Sequence, residues 1–293
     1  MIHQIENEFL SVQVNEEGAQ LWSVKSKKTG VEYLWQGDKA YWGGRAYNLF
    51  PFIGRMPEMI YTYDGKTYPL RTHGLARYFP FALESKTENE LVFSITDNEE
   101  TKKEYPFSFL FRVFFILDGA SLITRYGVTN TDEREMLCAL GGHPGINIPF
   151  GKGAFEDYYL DFEKQTPVVR QLFDESDRYA AGKAVPYDLV DGTKLPLRHD
   201  LFDHDAIVLE NTAGVVHIRC DKEERYVTMQ YEEYPYIGFW HMTKMDAPYV
   251  CLEPWSAMPG LAGKTVALEE KSDLTRVPSK ASKSISFTLE IHE

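Results

Sequence analysis

The chain is poor in cysteine. It holds three in 293 residues, Cys138, Cys220 and Cys251, far apart and odd in number, with no CxxC pair and no cysteine–histidine cluster. That excludes a disulfide framework and the common zinc motifs, and it fits a reducing compartment. Long apolar runs are missing too: no window approaches the ~18 uninterrupted residues that a membrane span needs. The opening stretch, "MIHQIENEFLSVQVN", has neither a basic head nor the apolar run of a secretory signal, so a cytoplasmic protein is expected. Basic residues are outnumbered, 31 Lys and Arg against 44 Asp and Glu, giving a formal charge of −13. Nucleic acid and anionic membrane are therefore poor partners on electrostatic grounds. No convincing helical periodicity runs for about eleven residues or more, and no repeat or low-complexity linker divides the chain.

Aromatic residues, by contrast, are plentiful. They make up 14% of the chain and apolar residues 43%, enough for a large core of strands. Short alternating runs punctuated by turns dominate. "MIYTYDGKTYPL" (59–70) places Asp64-Gly65 between Tyr-rich arms and reads as a hairpin. "AQLWSVKSKKTGVEYLW" (19–35) reads as a second hairpin, strand, turn and strand. "ELVFSITDNEETKKEYPFSFLFRVFFILDGASLITRYGVTNTDE" reads as strand, loop, long strand, Asp118-Gly119 turn and strand. Further runs include "AIVLE", "GVVHIRC", "YVTMQYE", "YIGFWHM", "YVCLEPW" and "SISFTLEIH". The fold class expected is all-β, a large antiparallel β-sandwich formed by one domain over residues 1–293. Residues 151–200 are less regular, and are expected to add strands with an excursion over one end.

Four stretches concentrate chemistry. "NLFPFIGRMPE" (48–58) sets Arg55 in a turn, where its fork suits bidentate contact with oxygens. "LRTHGLARYFPF" (70–81) holds His73 before a glycine, with Arg71 and Arg77 nearby. "GGHPGINIPF" (141–150) surrounds His143 with glycines that permit close approach of a ligand and a proline that stiffens the backbone. An imidazole delivers a proton near neutral pH with little tuning. "VCLEPWSAMPG" (250–260) puts Glu253 beside Trp255, where desolvation raises the carboxyl towards use as a base.

Together these stretches resemble the aldose 1-epimerase (galactose mutarotase) family, in its bacterial branch encoded in lactose and other sugar operons. The likeness rests on "NLFPFIGR", "THGLAR", "GGHPGINIPF", "LFDHDAIVLEN" and "LEPW" in the family's order, and it covers nearly the whole chain. It implies a galactose mutarotase-like supersandwich with a monosaccharide in a cleft on one sheet. It implies that His143 is the general acid and Glu253 the general base, and that Arg55 and His73 grip the ring. An aspartate of "LFDHDAIVLEN" would bind sugar hydroxyls; Asp203 and Asp205 compete, and Asp205, directly before the strand, is preferred. Arg77 and Trp255 join the substrate-binding set, with Trp240, Trp42 and Phe79 as candidates to stack on the sugar.

Interconverting α and β anomers removes a proton from the C1 hydroxyl and gives one to the ring oxygen, which a carboxylate and an imidazolium on opposite sides of the sugar would do. The reaction is near-isoenergetic, so no cofactor or metal is expected, and the protein would act as a monomer or homodimer. Three rivals share the fold, one of them a polysaccharide-processing enzyme, which for glycoside hydrolysis would normally need two carboxylates where these motifs offer a carboxylate and an imidazole. A hexose-6-phosphate 1-epimerase would need a basic cluster, for which Arg71, Arg77 and Arg45 are candidates. A non-catalytic carbohydrate-binding sensor would need no acid–base pair.

Overall fold

The computed structural model describes residues 1–176 and 178–293. Two large antiparallel sheets carry the chain. The larger has nine strands, in the order Lys194–Pro196, Tyr158–Asp161, Val215–Cys220, Glu223–Gln230, Ser282–His292, Ser121–Asn130, Phe109–Asp118, Glu90–Thr96 and Ala82–Lys86. The other has seven, in the order Ala180–Pro186, Val169–Phe173, Ile207–Glu210, Tyr236–Trp240, Tyr249–Trp255, Gly141–Asn147 and Ala46–Leu49. A three-stranded sheet at the N-terminus and smaller pairings complete the all-β architecture.

Alternation explains which way each sheet faces. In Phe109–Asp118 every second residue is buried, so Phe109, Phe111, Val113, Phe115 and Leu117 form one apolar row. That row meets the seven-stranded sheet: Phe111 stacks on Phe50 at 4.4 Å, and the Tyr126 hydroxyl donates to Asn48 Oδ1 at 2.9 Å. Each buried aromatic of this size contributes about 1.5–3 kcal/mol of burial energy, which makes this interface the main stabilising surface.

The double glycine is a product of that interface. Gly142 points into it, where a Cβ would stand 2.7 Å from the Phe287 ring. Gly141 lies against the Pro254 carbonyl, and Gly145 against Trp35 and Trp42. These glycines let sheet and backbone approach one another, rather than a ligand as the sequence suggested. Because side chains alternate, His143 points the other way, out of the interface.

The Asp64-Gly65 hairpin forms as expected, between Ile60–Tyr63 and Lys66–Pro69. The second arm of 19–35 pairs only in part. Gln20–Ser26 is a strand, but Glu32 turns its carboxylate back onto Ser23 and the Val24 N–H, and Leu34 instead bridges to Ile146. Lys25 and Glu32 form one antiparallel bridge, flanked by bonds from the Ser26 N–H to the Val31 carbonyl and from the Tyr33 N–H to the Val24 carbonyl, before the chain crosses to the seven-stranded sheet. The loop expected after Thr96 contains one short α-helix, Glu99–Glu104, capped by Asn98 with a reciprocal Thr101 bond. Residues 151–200 divide between the sheets: Tyr158–Asp161 and Lys194–Pro196 extend the larger, while Val169–Phe173 and Ala180–Pro186 extend the smaller.

Candidate active site

Register brings the two central residues together. Gly141 pairs with Trp255 and Gly145 with Cys251 across neighbouring antiparallel strands, which sets His143 directly opposite Glu253. On the far sides, His143 pairs with Tyr47 and Glu253 with Gly238. A Cβ at position 238 would sit 3.3 Å from that of Glu253, so the glycine leaves the carboxylate room. His143 Nε2 lies 3.2 Å from Glu253 Oε1. The sequence suggested groups on opposite sides of a sugar; no ring fits between groups in contact, and the two form a single pair on one wall. A one-residue slip of either strand would send its member into the core.

The pair is dry. His143 is 6% exposed and Glu253 2%. Trp42 stacks on the imidazole at 4.9 Å, and Trp240 and Tyr47 meet it edge-on. The Trp255 indole N–H donates to Glu253 Oε2 at 3.2 Å. Among the described residues His143 Nδ1 has no hydrogen-bond partner. Burial, with help from Arg77, pushes the imidazole down to about 3. Burial also holds the Glu253 carboxyl well above the usual carboxylate range, with Asp205 adding to it. Both shifts disfavour a buried charge, so they favour a neutral imidazole beside a protonated carboxyl.

His73 supplies a second imidazole, meeting His143 edge-on at 5.4 Å. Its Nδ1 accepts the Gly54 N–H at 3.1 Å, while its own backbone N–H donates to the Gly54 carbonyl at 2.8 Å. An accepting Nδ1 places the proton on Nε2. Burial, then the neighbouring His143, Arg77 and Arg55, keep this ring neutral by holding it well below the imidazole range.

These groups open onto a cavity of about 310 Å³, within the range of small-molecule sites. His143, Glu253, Arg55, His73, Asp205, Trp255 and Arg77 all line it, as do Trp42 and Trp240. Arg55 reaches Asp205, Nη1 to Oδ2 at 3.9 Å, and Arg77 lies over the Tyr47 ring at 3.6 Å. Asp203, its competitor, ends the turn His199–Phe202 and is outside the lining.

Three other sequence candidates lie elsewhere. Arg71 forms a two-pronged ion pair with Glu104, Arg45 stacks on Trp22 and bonds Gln36, and Phe79 packs near Arg71. Conversely, Tyr47, Phe173, Arg178, Met242 and Thr243 line the cavity without having stood out. Tyr47 was findable as the alternate neighbour of buried Asn48; the others sit at strand ends or in loops that carry no motif.

Comparison with known proteins accords with this geometry. The aldose 1-epimerase family profile matches residues 1–260. The plasmid-borne protein LacX of Lactococcus lactis subsp. lactis is 34% identical over 286 residues, covering 94% of this chain and 95% of the relative. A galactose mutarotase related enzyme from Lactobacillus acidophilus superposes with a TM-score of 0.93 at 33% identity, covering 100% of this chain and 98% of the other. A galactose mutarotase-like protein from Lactobacillus casei gives 0.94 at 30% identity, with both chains covered completely.

Proposed function

The chain belongs to the aldose 1-epimerase family, and from that premise we propose that it interconverts the α and β anomers of a free hexose over the His143–Glu253 pair. One observation carries the reading: an imidazole and a carboxyl in contact on one wall beside a pyranose-sized cavity. The hydroxyl oxygen and ring oxygen of a hemiacetal are bonded to the same carbon, so they too lie side by side. Two adjacent catalytic groups match that edge better than two facing ones.

Bound sugar parts the pair as its proton passes from the carboxyl to the imidazole, setting ionised Glu253 against the C1 hydroxyl and protonated His143 against the ring oxygen. Glu253 takes the hydroxyl proton as the bond from C1 to the ring oxygen breaks, and His143 delivers its proton to that oxygen. The product is the open aldehyde, and the pair again holds one proton, now on the carboxyl. Rotation about C1–C2 presents the other aldehyde face, and closure runs the transfers backwards. No net proton reaches solvent. Each positioned acid or base contributes about 10²–10⁴-fold. His73 donates from Nε2 to a sugar oxygen, Arg55 with Asp205 and Arg77 bind hydroxyls, and the tryptophans cover the apolar ring face.

A free sugar is favoured over a phosphorylated one because Arg71 and Arg45 are committed elsewhere and Arg55 faces Asp205, although Arg77 and Arg178 line the cavity and are the cations a phosphate would meet. An anomer-exchange panel of glucose, galactose, xylose and the 6-phosphates tests this. Faster exchange of free hexoses is expected; exchange confined to the phosphates overturns the substrate class, and tight sugar binding without accelerated exchange points to a sensor. The single-unit reading of 1–293 is supported by one buried apolar cluster running from Ile5 to Ile291. Three buried thiols suit a reducing cytoplasm, and among the described residues no helix is long and apolar enough to cross a membrane. We take the protein to act there as a monomer or homodimer.

A further inference from the structure

Cys251 lies two residues before Glu253 on the same strand, so both side chains leave the same face of the sheet. His143 comes from the adjoining strand. The cysteine sulfur, an imidazole nitrogen and a carboxylate oxygen all lie within 4.8 Å of one another. All three residues are buried, at 0%, 6% and 2% exposure. No contiguous motif encodes this set, because strand alternation and cross-strand register assemble it.

We infer that Cys251, His143 and Glu253 form a binding site for a thiophilic divalent cation such as Zn²⁺. Tetrahedral zinc, with bonds of about 2.0–2.3 Å, needs donor atoms roughly 3.3–3.8 Å apart, so donors already within 4.8 Å would have to close by about an ångström at most. Three protein ligands leave a fourth position, and two of them, His143 and Glu253, line the cavity, while Cys251 lies behind them. Charge balances as well. The cation displaces the thiol proton and the proton shared by the pair; both go to solvent, leaving thiolate, carboxylate and neutral imidazole around a dication, net zero. Burial makes each anion costly alone, and the metal offsets both. The ion ties up the two groups assigned to proton transfer, so it inhibits and competes with sugar. That last point rests on the proposed function, whereas the binding site does not.

The test is titration of the purified protein with Co²⁺, then Zn²⁺, in thiol-free buffer, beside anomer-exchange kinetics. The expected result is a thiolate-to-cobalt charge-transfer band with tetrahedral visible bands, saturating at one ion per chain and erased by Zn²⁺. Cys251→Ser removes the band and weakens Zn²⁺ inhibition at least about 10-fold, as loss of a direct ligand should exceed typical outer-shell effects. Cys251→Ala, checked for folding by circular dichroism, repeats the measurement if the serine variant is unstable. An octahedral spectrum without a thiolate band, or a band that persists in both variants, overturns the site whatever the kinetics. A thiolate band with sugar turnover untouched by Zn²⁺ supports the site and counts against the acid–base reading.

Discussion

His143 and Glu253 stand opposite one another on adjacent antiparallel strands, Nε2 3.2 Å from Oε1, with Trp42 stacked on the imidazole and the Trp255 indole bonded to the carboxyl. The pairing of the two side chains follows from register. Strands place the pair, glycines behind it let the sheets close, and aromatics keep water out.

Glu253→Gln and His143→Asn are each expected to cut kcat by about 10²-fold or more while the protein stays folded. Exchange kinetics with circular dichroism and Tm on the same samples check this. Near-full turnover by either variant removes that residue from the chemistry.

The aspartates separate cleanly. Asp205 lines the cavity beside Arg55 and Asp203 does not, so Asp205→Asn should lower kcat/KM and Asp203→Asn should leave it unchanged. Arg55→Ala and His73→Ala should likewise lower kcat/KM, chiefly by weakening grip on the sugar. The reverse pattern for the aspartates would transfer the sugar-binding role to Asp203.

Gly142→Ala forces a methyl towards the Phe287 ring and the Tyr126 hydroxyl, at 2.7 and 3.2 Å from the unrelaxed positions. Overpacking of this kind costs about 1–3 kcal/mol. A lowered Tm is the expected result; an unchanged Tm would show that the interface has slack there.

Acid stability depends on Glu223. Paired bonds from Arg225, then the Lys152 N–H, hold its carboxyl down to about 2 from an ordinary 4.5. A depressed folded value gives stability that is fully present above the unfolded value and is lost as pH falls from 4.5 towards 2. Glu223→Gln should therefore flatten the decline of Tm across that window and lower Tm at neutral pH. A parallel decline in both proteins would contradict the assignment.

Fold class and most of the candidate site were legible because strand alternation and hairpin turns are local signals. Asp64-Gly65 marked its hairpin, and residues flanked by glycine and proline marked the cavity wall. What escaped was long-range. The glycines around His143 answer to Phe287, Pro254 and Trp35, none near them in sequence. Arg71 directly precedes Thr72 and His73, which line the cavity, yet it stays outside the lining. Its ion pair with Glu104, more than thirty residues away in the chain, fixes the side chain elsewhere. Adjacency in sequence carries no information about such a partner.

The most direct test of the shared-proton pair is a double-mutant cycle read by NMR anomer exchange on Glu253→Gln, His143→Asn and the combined variant. If the two residues work as one unit, the double variant loses about as much kcat as the more damaging single one. Losses that multiply would show two independent groups and contradict the pair.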